Sequence, residues 1–517
     1  MLFFSAVFLI HQSAQGQASG TCNWTGGGSG NSWHTAGNWS CSAHDGVPTA
    51  SDDVVIQTPT ATHVQVDIGA DAECYSLTVG EANLDEHSLA HRLRTIVDDV
   101  SIHVGAGGVL VHQSGEFLLG QDLSSLPALR AHLHSEGTIV AYGRFWPRNA
   151  NIHGAVEVNR PAEGGPGGNL QARGWNNFHG PLDVVDGALA SIVWDRGHHG
   201  SAAPHIRVID HDLVAHEGSL VIVFLNWAGG FGGIGHSQPG IQVENGTFHL
   251  HGTLRNSGFH QLTSQITAVI NAVTEVSATG EIEVSLSRNQ GIELHGPEGA
   301  EHLMAGRVDT GWLGDNETPE DAREGPGLRV TAGRSLVNTG EIEMHYMRTH
   351  SGDVSNINGG LIQHERQVTG NGLYLLGYPG PNEVRVNIEA AGDIEWLSMA
   401  WHAQAHAQVT LNPFLSQTQD WWQMATNGGG MATTQSSGAV LSLSLPRFAP
   451  DEASAACRWV AAGARWSCGI DPAGSSHVST GPLESIDGEW AVGELVDQLF
   501  SDRFEGLESR TPANGRR

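Results

Sequence analysis

Apolar and polar residues alternate in short runs through the middle of the chain. A period of two is expected of β-strands that bury one face and expose the other to water. The pattern therefore predicts a series of short strands. The clearest runs are Val100–Val104, Phe248–His251, Ile282–Leu286, Val384–Ile388 and Leu441–Leu445.

Glycines followed by a short strand recur at a nearly regular interval. The interval is 31, 28, 34 and then 60 residues between Gly187, Gly218, Gly246, Gly280 and Gly340. Around the last two, the sequence reads TGEIEV and TGEIEM, which are nearly identical segments two periods apart. A repeat of this size with one supersecondary unit is typical of a solenoid or a propeller, and propeller blades run to about 40–50 residues.

A period near 30 with two or three strands favours one coil of a right-handed parallel β-helix, while other all-β folds stay open. No single coil buries its own apolar face, but stacked coils share one core. The predicted organisation is a signal peptide (1–20), an N-terminal cap (21–60), the β-helix (61–435), a small C-terminal β-domain (436–498) and a disordered tail (499–517).

Helical patterns are few. Asn83–Arg94 is predicted to form an exposed helical insertion. Gln261–Val276 has apolar residues at helical spacing but is rich in β-branched residues, which leaves helix and strand both open.

The apolar segment Met1–Ile10 has the length of the hydrophobic region of a signal peptide, and small residues that suit cleavage follow it. No Lys or Arg precedes it, and a buried first strand is the alternative. Nowhere else does the chain approach the ~18 apolar residues that a membrane span needs.

Five cysteines fit an oxidising compartment. Cys22 and Cys41 flank a Trp/Gly-rich segment, and Cys457 and Cys468 flank a hairpin pattern, so two local disulfides are predicted. A zinc site is disfavoured because the chain has no C-x-x-C. Cys74 has no evident partner.

Residues 22–56 place Trp24, a glycine run, Trp33, Gly37–Trp39 and a Val-Pro-Thr-x-x-Asp-Asp-x-Val-x-Ile segment in a set order. This order resembles the N-terminal cap of exported bacterial β-helix proteins, many of them adhesin-like. The resemblance covers some 35 residues and implies export and a β-helix.

The segment Leu499–Glu505 is similar to a Phe-x-Asp-Gly-Phe-Glu tail motif of secreted proteins from some gammaproteobacteria, with Arg503 in place of the glycine. The resemblance implies a secreted or cell-surface protein of a Gram-negative bacterium.

Composition excludes several classes of function. The chain has no lysine among its 25 basic residues, which excludes Schiff-base enzymes, P-loop NTPases and kinases. The net charge of -30 disfavours nucleic acid as a partner. The 68 glycines suit a turn-rich β-fold.

The 29 histidines include pairs that share a strand face or lie four residues apart. Such a pair can hold a metal, but a zinc site needs a third ligand, so solvated strand positions are the favoured interpretation. The pairs are His132/His134, His249/His251, His87/His91 and His402/His406.

Acidic residues cluster at Asp315–Glu324 and pair at Asp52–Asp53 and Asp98–Asp99. Calcium is the one cofactor considered, although the order of a calcium loop is missing, and no other cofactor is expected. Adjacent aspartates on a strand point to opposite faces, so neither pair forms a ready acid/base couple. Four arginines were considered for catalysis and have no distinctive sequence neighbours: Arg144, Arg148, Arg196 and Arg288.

Tryptophans are candidates for stacking on sugar rings, with packing under loops as the alternative. They are Trp194, Trp227, Trp396, Trp401, Trp421 and Trp422. Together these features predict a non-enzymatic, adhesin-like or polysaccharide-binding role. The alternatives are a polysaccharide lyase or glycoside hydrolase on a β-helix, and a purely structural envelope protein.

Overall fold

The computed structural model describes residues 20–57, 64–81, 91–97, 99–120, 131–160, 167–194, 206–225, 237–258, 266–285, 290–312, 327–344, 353–377, 383–408, 420–426, 438–446, 454–460, 465–471 and 477–494. Across these ranges the chain is all-β with large parallel sheets, as predicted, and the arrangement is compatible with a β-solenoid. Most of the predicted signal peptide and the whole predicted tail lie outside the described residues.

The strands are short and follow one another along the chain. In the first half they are β1 (Gly20–Trp24), β2 (Trp39–Cys41), β3 (Asp52–Ile56), β4 (Val64–Ile68), β5 (Ala72–Val79), β6 (His91–Thr95), β7 (Ser101–Val111), β8 (Gly115–Leu119), β9 (Ala131–Ser135), β10 (Ile139–Ala141), β11 (Arg144–Pro147), β12 (Ala150–His153), β13 (Val156–Val158), β14 (Asn169–Ala172), β15 (Asn177–Phe178), β16 (Leu182–Val184), β17 (Leu189–Trp194), β18 (Ile206–Ile209), β19 (Leu213–Ala215), β20 (Leu220–Leu225), β21 (Ser237–Leu250) and β22 (Thr253–Gly258). A 3-10 turn, η1, spans Ala36–Asn38.

The second half continues in the same way. Its strands are β23 (Ile266–Val276), β24 (Glu281–Ser285), β25 (Gln290–Leu294), β26 (Glu301–Met304), β27 (Arg307–Trp312), β28 (Gly327–Val330), β29 (Ser335–Asn338), β30 (Glu341–Met344), β31 (Asp353–Asn356), β32 (Leu361–Gln367), β33 (Gly372–Leu376), β34 (Val384–Ala390), β35 (Trp396–His402), β36 (Trp421–Thr426), β37 (Val440–Pro446), β38 (Ser454–Val460), β39 (Arg465–Asp471), β40 (His477–Ser479) and β41 (Gly488–Glu494).

The chain divides into two compact units. The first contains residues 1–232, 237–261 and 268–273, and the second contains 233–236, 262–267 and 274–517.

Strands of the first unit pair in parallel with strands roughly one repeat away and form three ladders. The first ladder runs through β1, β3, β5, β7, β10, β13, β16, β19 and β21. The second runs through β5, β7, β9, β12, β15, β18 and β21. The third runs through β4, β6, β8, β11, β14, β17, β20 and β22.

Inward residues of each ladder lie in register and form a continuous apolar column. Along the first ladder none of them is more than 2% exposed, so each strand covers the apolar face of its neighbours, as the sequence pattern predicts. The aligned residues are Cys22, Val54, Leu77, Val109, Ile139, Val156, Leu182, Leu213 and Phe248.

The glycine repeat is confirmed in the second unit. Glu281 aligns with Arg307, and Arg307 aligns with Glu341, so the two similar segments lie two strands apart in one parallel ladder. A Cβ atom on Gly340 would overlap the backbone carbonyl of Gly306, the glycine at the intervening turn. Glycine is therefore required there for the turns to stack closely.

In the first unit the repeat holds for one pair only. The Gly187 amide donates to the Gly218 carbonyl over 3.1 Å, so these turns stack. Gly246 lies against the His211 carbonyl at a different turn, and Gly252 precedes the strand aligned with the one after Gly218. Equal spacing to Gly246 therefore came from unequal turns.

The N-terminal segment is tied together by aromatic and covalent contacts. Cys22 and Cys41 are disulfide-bonded across the antiparallel pair β1–β2. The Trp39 ring meets Trp24 and Trp33 edge-on, each at a centroid distance of 4.9 Å, and its Nε1 donates to the Trp33 carbonyl over 2.6 Å. The predicted disulfide is thus present, at the strand that begins the first ladder.

Pairing in the second unit changes from parallel to antiparallel at β32. β24, β27, β30 and β32 pair in parallel. From β32 onward, β35, β36, β41, β38 and β39 pair antiparallel, and β33, β34, β37 and β40 form a second antiparallel sheet. The β38–β39 hairpin carries the second predicted disulfide, Cys457–Cys468. Antiparallel pairing starts well before residue 436, and the domain limits stay predictions.

Two local predictions are resolved. The described part of Asn83–Arg94 belongs to strand β6, so the helical prediction is wrong there because the apolar side of His91–Thr95 joins the third ladder. The open segment at 261–276 is strand from Ile266 onward. No helix in the described ranges is long and apolar enough to cross a membrane.

Removing one inward ring should destabilise the first unit strongly. Phe145 is fully buried, and its ring centroid lies 5.6 Å from that of Phe117 on the neighbouring strand. We expect Phe145→Ala to lower the free energy of unfolding in urea by about 3–5 kcal/mol. The outward Val140→Ala control should cost below about 1 kcal/mol; equal losses would contradict the inward assignment.

A buried histidine should make stability depend on pH. His302 is fully buried on β26, and its Nδ1 accepts a hydrogen bond of 3.3 Å from the Thr274 amide. Burial, aided by the charge of Arg334, lowers the pKa of His302 to about 4. The unfolded chain then binds a proton between pH 6.5 and 4 that the folded chain does not bind, so stability falls as the pH falls through this range.

We expect this histidine to remove roughly 2–3 kcal/mol between pH 7 and 4.5. Urea unfolding of the wild type and of His302→Gln at both pH values measures the difference, since other groups titrate equally in both proteins. The same pH dependence in the two proteins would show that His302 does not carry it.

Candidate functional site

Outward side chains of the third ladder form a surface rich in arginine. We call it the arginine face and define it by the outward residues of β4, β6, β8, β11 and β14 and by the two arginines that follow β11 and β14. Because strand residues alternate between faces, every second residue contributes to it. Its members are Gln65, Asp67, Arg92, Arg94, Glu116, Leu118, Arg144, Trp146, Arg148, Asn169, Gln171 and Arg173.

Three arginines surround one tryptophan on this face. The guanidinium carbons of Arg144 and Arg148 each lie 5.6 Å from the ring centroid of Trp146, and that of Arg173 lies 6.0 Å away. The first two share the segment of Trp146 at a spacing of two residues, while Arg173 is aligned with Arg148 by an isolated parallel bridge. All four side chains are half-buried. These distances are within the range of cation–π attraction.

Positive charge is concentrated around Trp146. The other two arginines of the face are in ion pairs, Arg94 with Asp67 at 2.6 Å and Arg92 with Glu116 at 3.2 Å. The face thus has five arginines and two carboxylates, and both carboxylates are bound to arginines away from the tryptophan. In a chain of net charge -30, this is a local excess of positive charge.

Polar atoms beside the three arginines have unmet hydrogen-bonding capacity. Within the described part of the chain, Trp146 Nε1 has no acceptor, and Asn169 Oδ1 and Gln171 Oε1 have no donor. Buried polar atoms are rarely left without partners, because each unsatisfied group costs free energy. One donor and two acceptors are therefore available to a bound molecule or to water.

Histidines of the second ladder stack across four successive strands. The ring centroids are 4.8 Å apart for His103 and His134, 4.4 Å for His134 and His153, and 4.3 Å for His153 and His179. The ring planes differ by 3–9°. We call these four residues the histidine ladder. The predicted pair His132/His134 shares this face, with ring centroids 6.2 Å apart.

The surroundings of the ladder disfavour protonation of its central rings. Burial lowers the pKa of His134 and of His153, and charge repulsion from neighbouring imidazoles lowers both further. In the next column, His132 Nδ1 is 3.3 Å from the Asn151 amide nitrogen, and its Nε2 is 3.5 Å from Asp99. The central rings are therefore neutral near pH 7.

An aromatic cluster lies in the antiparallel part of the second unit. The predicted pair His402/His406 meets there with Trp421: His402 stacks on its ring at 3.8 Å, and His406 meets it edge-on at 4.9 Å. His406 also contacts Trp466 and Trp459 of the disulfide hairpin, at centroid distances of 5.0 and 6.1 Å. The sequence proposed Trp421 for sugar stacking, but His402 already covers one of its faces.

Titratable groups border this cluster. Burial raises the pKa of Asp420 to about 6 and lowers that of His402 to about 4, with His406 adding to the latter shift. His406 Nε2 lies 3.1 Å from a Glu489 carboxylate oxygen. These contacts hold the antiparallel sheet and the hairpin together, so the cluster has a structural role.

The remaining candidates do not converge. Asp52 is buried and bonded to Thr49 and His44, whereas Asp53 accepts from Ser76 on the neighbouring strand. The carboxylates therefore separate as predicted. His249 and His251 share a face of β21 with centroids 6.5 Å apart. The segments with Asp98, Asp315–Glu324, Arg196, Arg288, His87 and Trp227 and the side chain of Trp194 lie outside the described residues.

Cysteine chemistry offers no metal site in the described ranges. Cys22, Cys41 and His44 bring their ligand atoms within 4.8 Å of one another, but both sulfurs are in the disulfide. Cys74 is a free buried thiol, and burial raises its pKa far above the ordinary value. It is therefore unreactive as a nucleophile.

Sequence reasoning considered Arg144 and Arg148 and found no distinctive neighbours for them. The structure corrects this, since Trp146 stands between them and Arg173 joins from the next strand. The alternating order Arg-x-Trp-x-Arg at 144–148 was the available signal. Arg173 gave none, because only strand pairing brings it close.

No known protein family matches this chain, and comparison with curated proteins and with solved structures found no match either.

Proposed function

We propose that this chain is an exported bacterial protein, from a Gram-negative organism, whose right-handed parallel β-helix binds an acidic polysaccharide along the arginine face. The observation that carries the proposal is the group of three arginines around Trp146. The N-terminal and tail resemblances and the two disulfides support export.

The chemistry of the group matches a carboxylated sugar. Guanidinium groups bind carboxylates through two parallel hydrogen bonds. The Trp146 indole supplies an apolar surface for a sugar ring, while Asn169 and Gln171 have acceptors for sugar hydroxyls. Successive strands repeat outward positions at about 4.8 Å, which suits an extended chain rather than a compact ligand.

Net negative charge does not conflict with this ligand. Double-stranded DNA carries one charge per ~1.7 Å, whereas a uronic-acid polymer carries at most one per sugar unit. At physiological salt, charges beyond about 8 Å are screened, so local arginines outweigh distant carboxylates. A sparsely charged glycan is therefore compatible with a face that is positive only locally.

Binding without cleavage fits the carboxylates of this face. Glycoside hydrolysis needs one carboxylic acid and one carboxylate on either side of the scissile bond. Asp67 and Glu116 are both bound to arginine, which favours the ionised form of each. Neither is placed to donate a proton beside Trp146. A lyase or hydrolase and a purely structural envelope protein remain the alternatives that the experiment separates.

Titration of the full chain with polygalacturonate tests the proposal by calorimetry. We expect Trp146→Ala, and separately Arg144→Gln with Arg148→Gln, to weaken binding at least tenfold, because the stacking surface or two carboxylate contacts are lost. Added salt should weaken binding to the wild type, and neutral dextran should bind at least tenfold more weakly.

The matched control is Arg307→Gln, which removes an outward arginine from a parallel strand of the second unit that is paired with Glu281, Asp309 and Glu343. It should bind like the wild type. Equal affinity for dextran, or unchanged binding by the Trp146 and arginine variants, would contradict the proposal. Release of reducing or unsaturated ends would instead establish an enzyme, and failure to bind any glycan would favour a structural role.

A further inference from the structure

The histidine ladder has a regularity that core packing does not explain. Its rings belong to four different strand segments and are 31, 19 and 26 residues apart, yet they align face to face. They point outward: His103 is exposed, and the other three are half-buried. Inward residues of the same strands, such as Leu133 and Ile152, form the apolar column.

We propose that His103, His134, His153 and His179 bind divalent transition-metal ions, with neighbouring imidazoles acting as a pair of ligands. Imidazole nitrogen suits Zn²⁺, Cu²⁺ and Ni²⁺ and is a poor ligand for Ca²⁺ or Mg²⁺. Parallel rings at 4.3–4.8 Å direct their nitrogens toward the same side, so a rotation of neighbouring rings is enough for both to reach one ion.

Residues around the ladder support this use. Glu73 aligns with His103 and places an exposed carboxylate beside the first ring. His132 lies next to the central ring His134, and Asp99 lies 3.5 Å from His132. Carboxylates near ligating histidines orient the ring and raise its basicity.

The geometry also sets the capacity of the site. In the described ranges no three ligand atoms of these histidines lie within 4.8 Å of one another. The ladder therefore provides two protein ligands for each ion, and four rings hold two ions. Water fills the remaining positions, and the strands keep their pairing without metal.

Zinc binding to the untagged full chain tests the proposal, with ZnCl2 as the probe and calorimetry as the measurement. We expect His134→Gln with His153→Gln to lower the affinity of the tightest sites at least tenfold. The matched control, His249→Gln with His251→Gln, also removes two outward histidines of one face and should change affinity by less than twofold. CaCl2 should not displace zinc.

Unchanged binding by the ladder variant, or an equal loss in the control, would overturn the proposal. Chemical footprinting of the wild type keeps it testable if the ladder variant does not fold. Zinc should protect His134 and His153 from diethyl pyrocarbonate and leave His249 reactive, as read by mass spectrometry; equal reactivity with and without zinc would refute the site. Glycan binding is not assumed, so either proposal can fail alone.

Discussion

The structure depends on register between parallel strands. Each strand of the first unit buries one side only, so an inward residue is kept from water by the inward residues of the strands before and after it. Val109, Ile139 and Val156 show this, since they align directly and are all buried. A shift by one residue would turn every inward side chain outward. Register is therefore fixed by burial along the whole column.

The same constraint organises the surface. Once inward residues are aligned, outward residues two positions apart are aligned as well, whatever their distance along the chain. His134 and His153 stack because Leu133 and Ile152 pair beneath them. Arg144 is beside Asn169 because Phe145 and Leu170 pair in the core. The histidine ladder and the arginine face are both consequences of core register.

Alternation along the chain was enough to predict the strands and the all-β class, and short separation was enough to pair Cys22 with Cys41. The repeat was only partly predictable, because the chain between aligned residues varies from 17 residues, at Ile139 and Val156, to 35, at Leu213 and Phe248. Surface groups were harder still. Arg173 joins Arg148 through an alignment that no fixed interval predicts.

Ladders of parallel strands have exposed backbone groups at their ends that can recruit another chain. β1, which begins the first ladder, is paired with antiparallel β2, held by the Cys22–Cys41 bond. β32, the last parallel strand of its own ladder, is paired with antiparallel β35. A reversed strand occupies the hydrogen-bonding edge in each case. Fibre growth by end-to-end addition of molecules is therefore blocked at both of these edges.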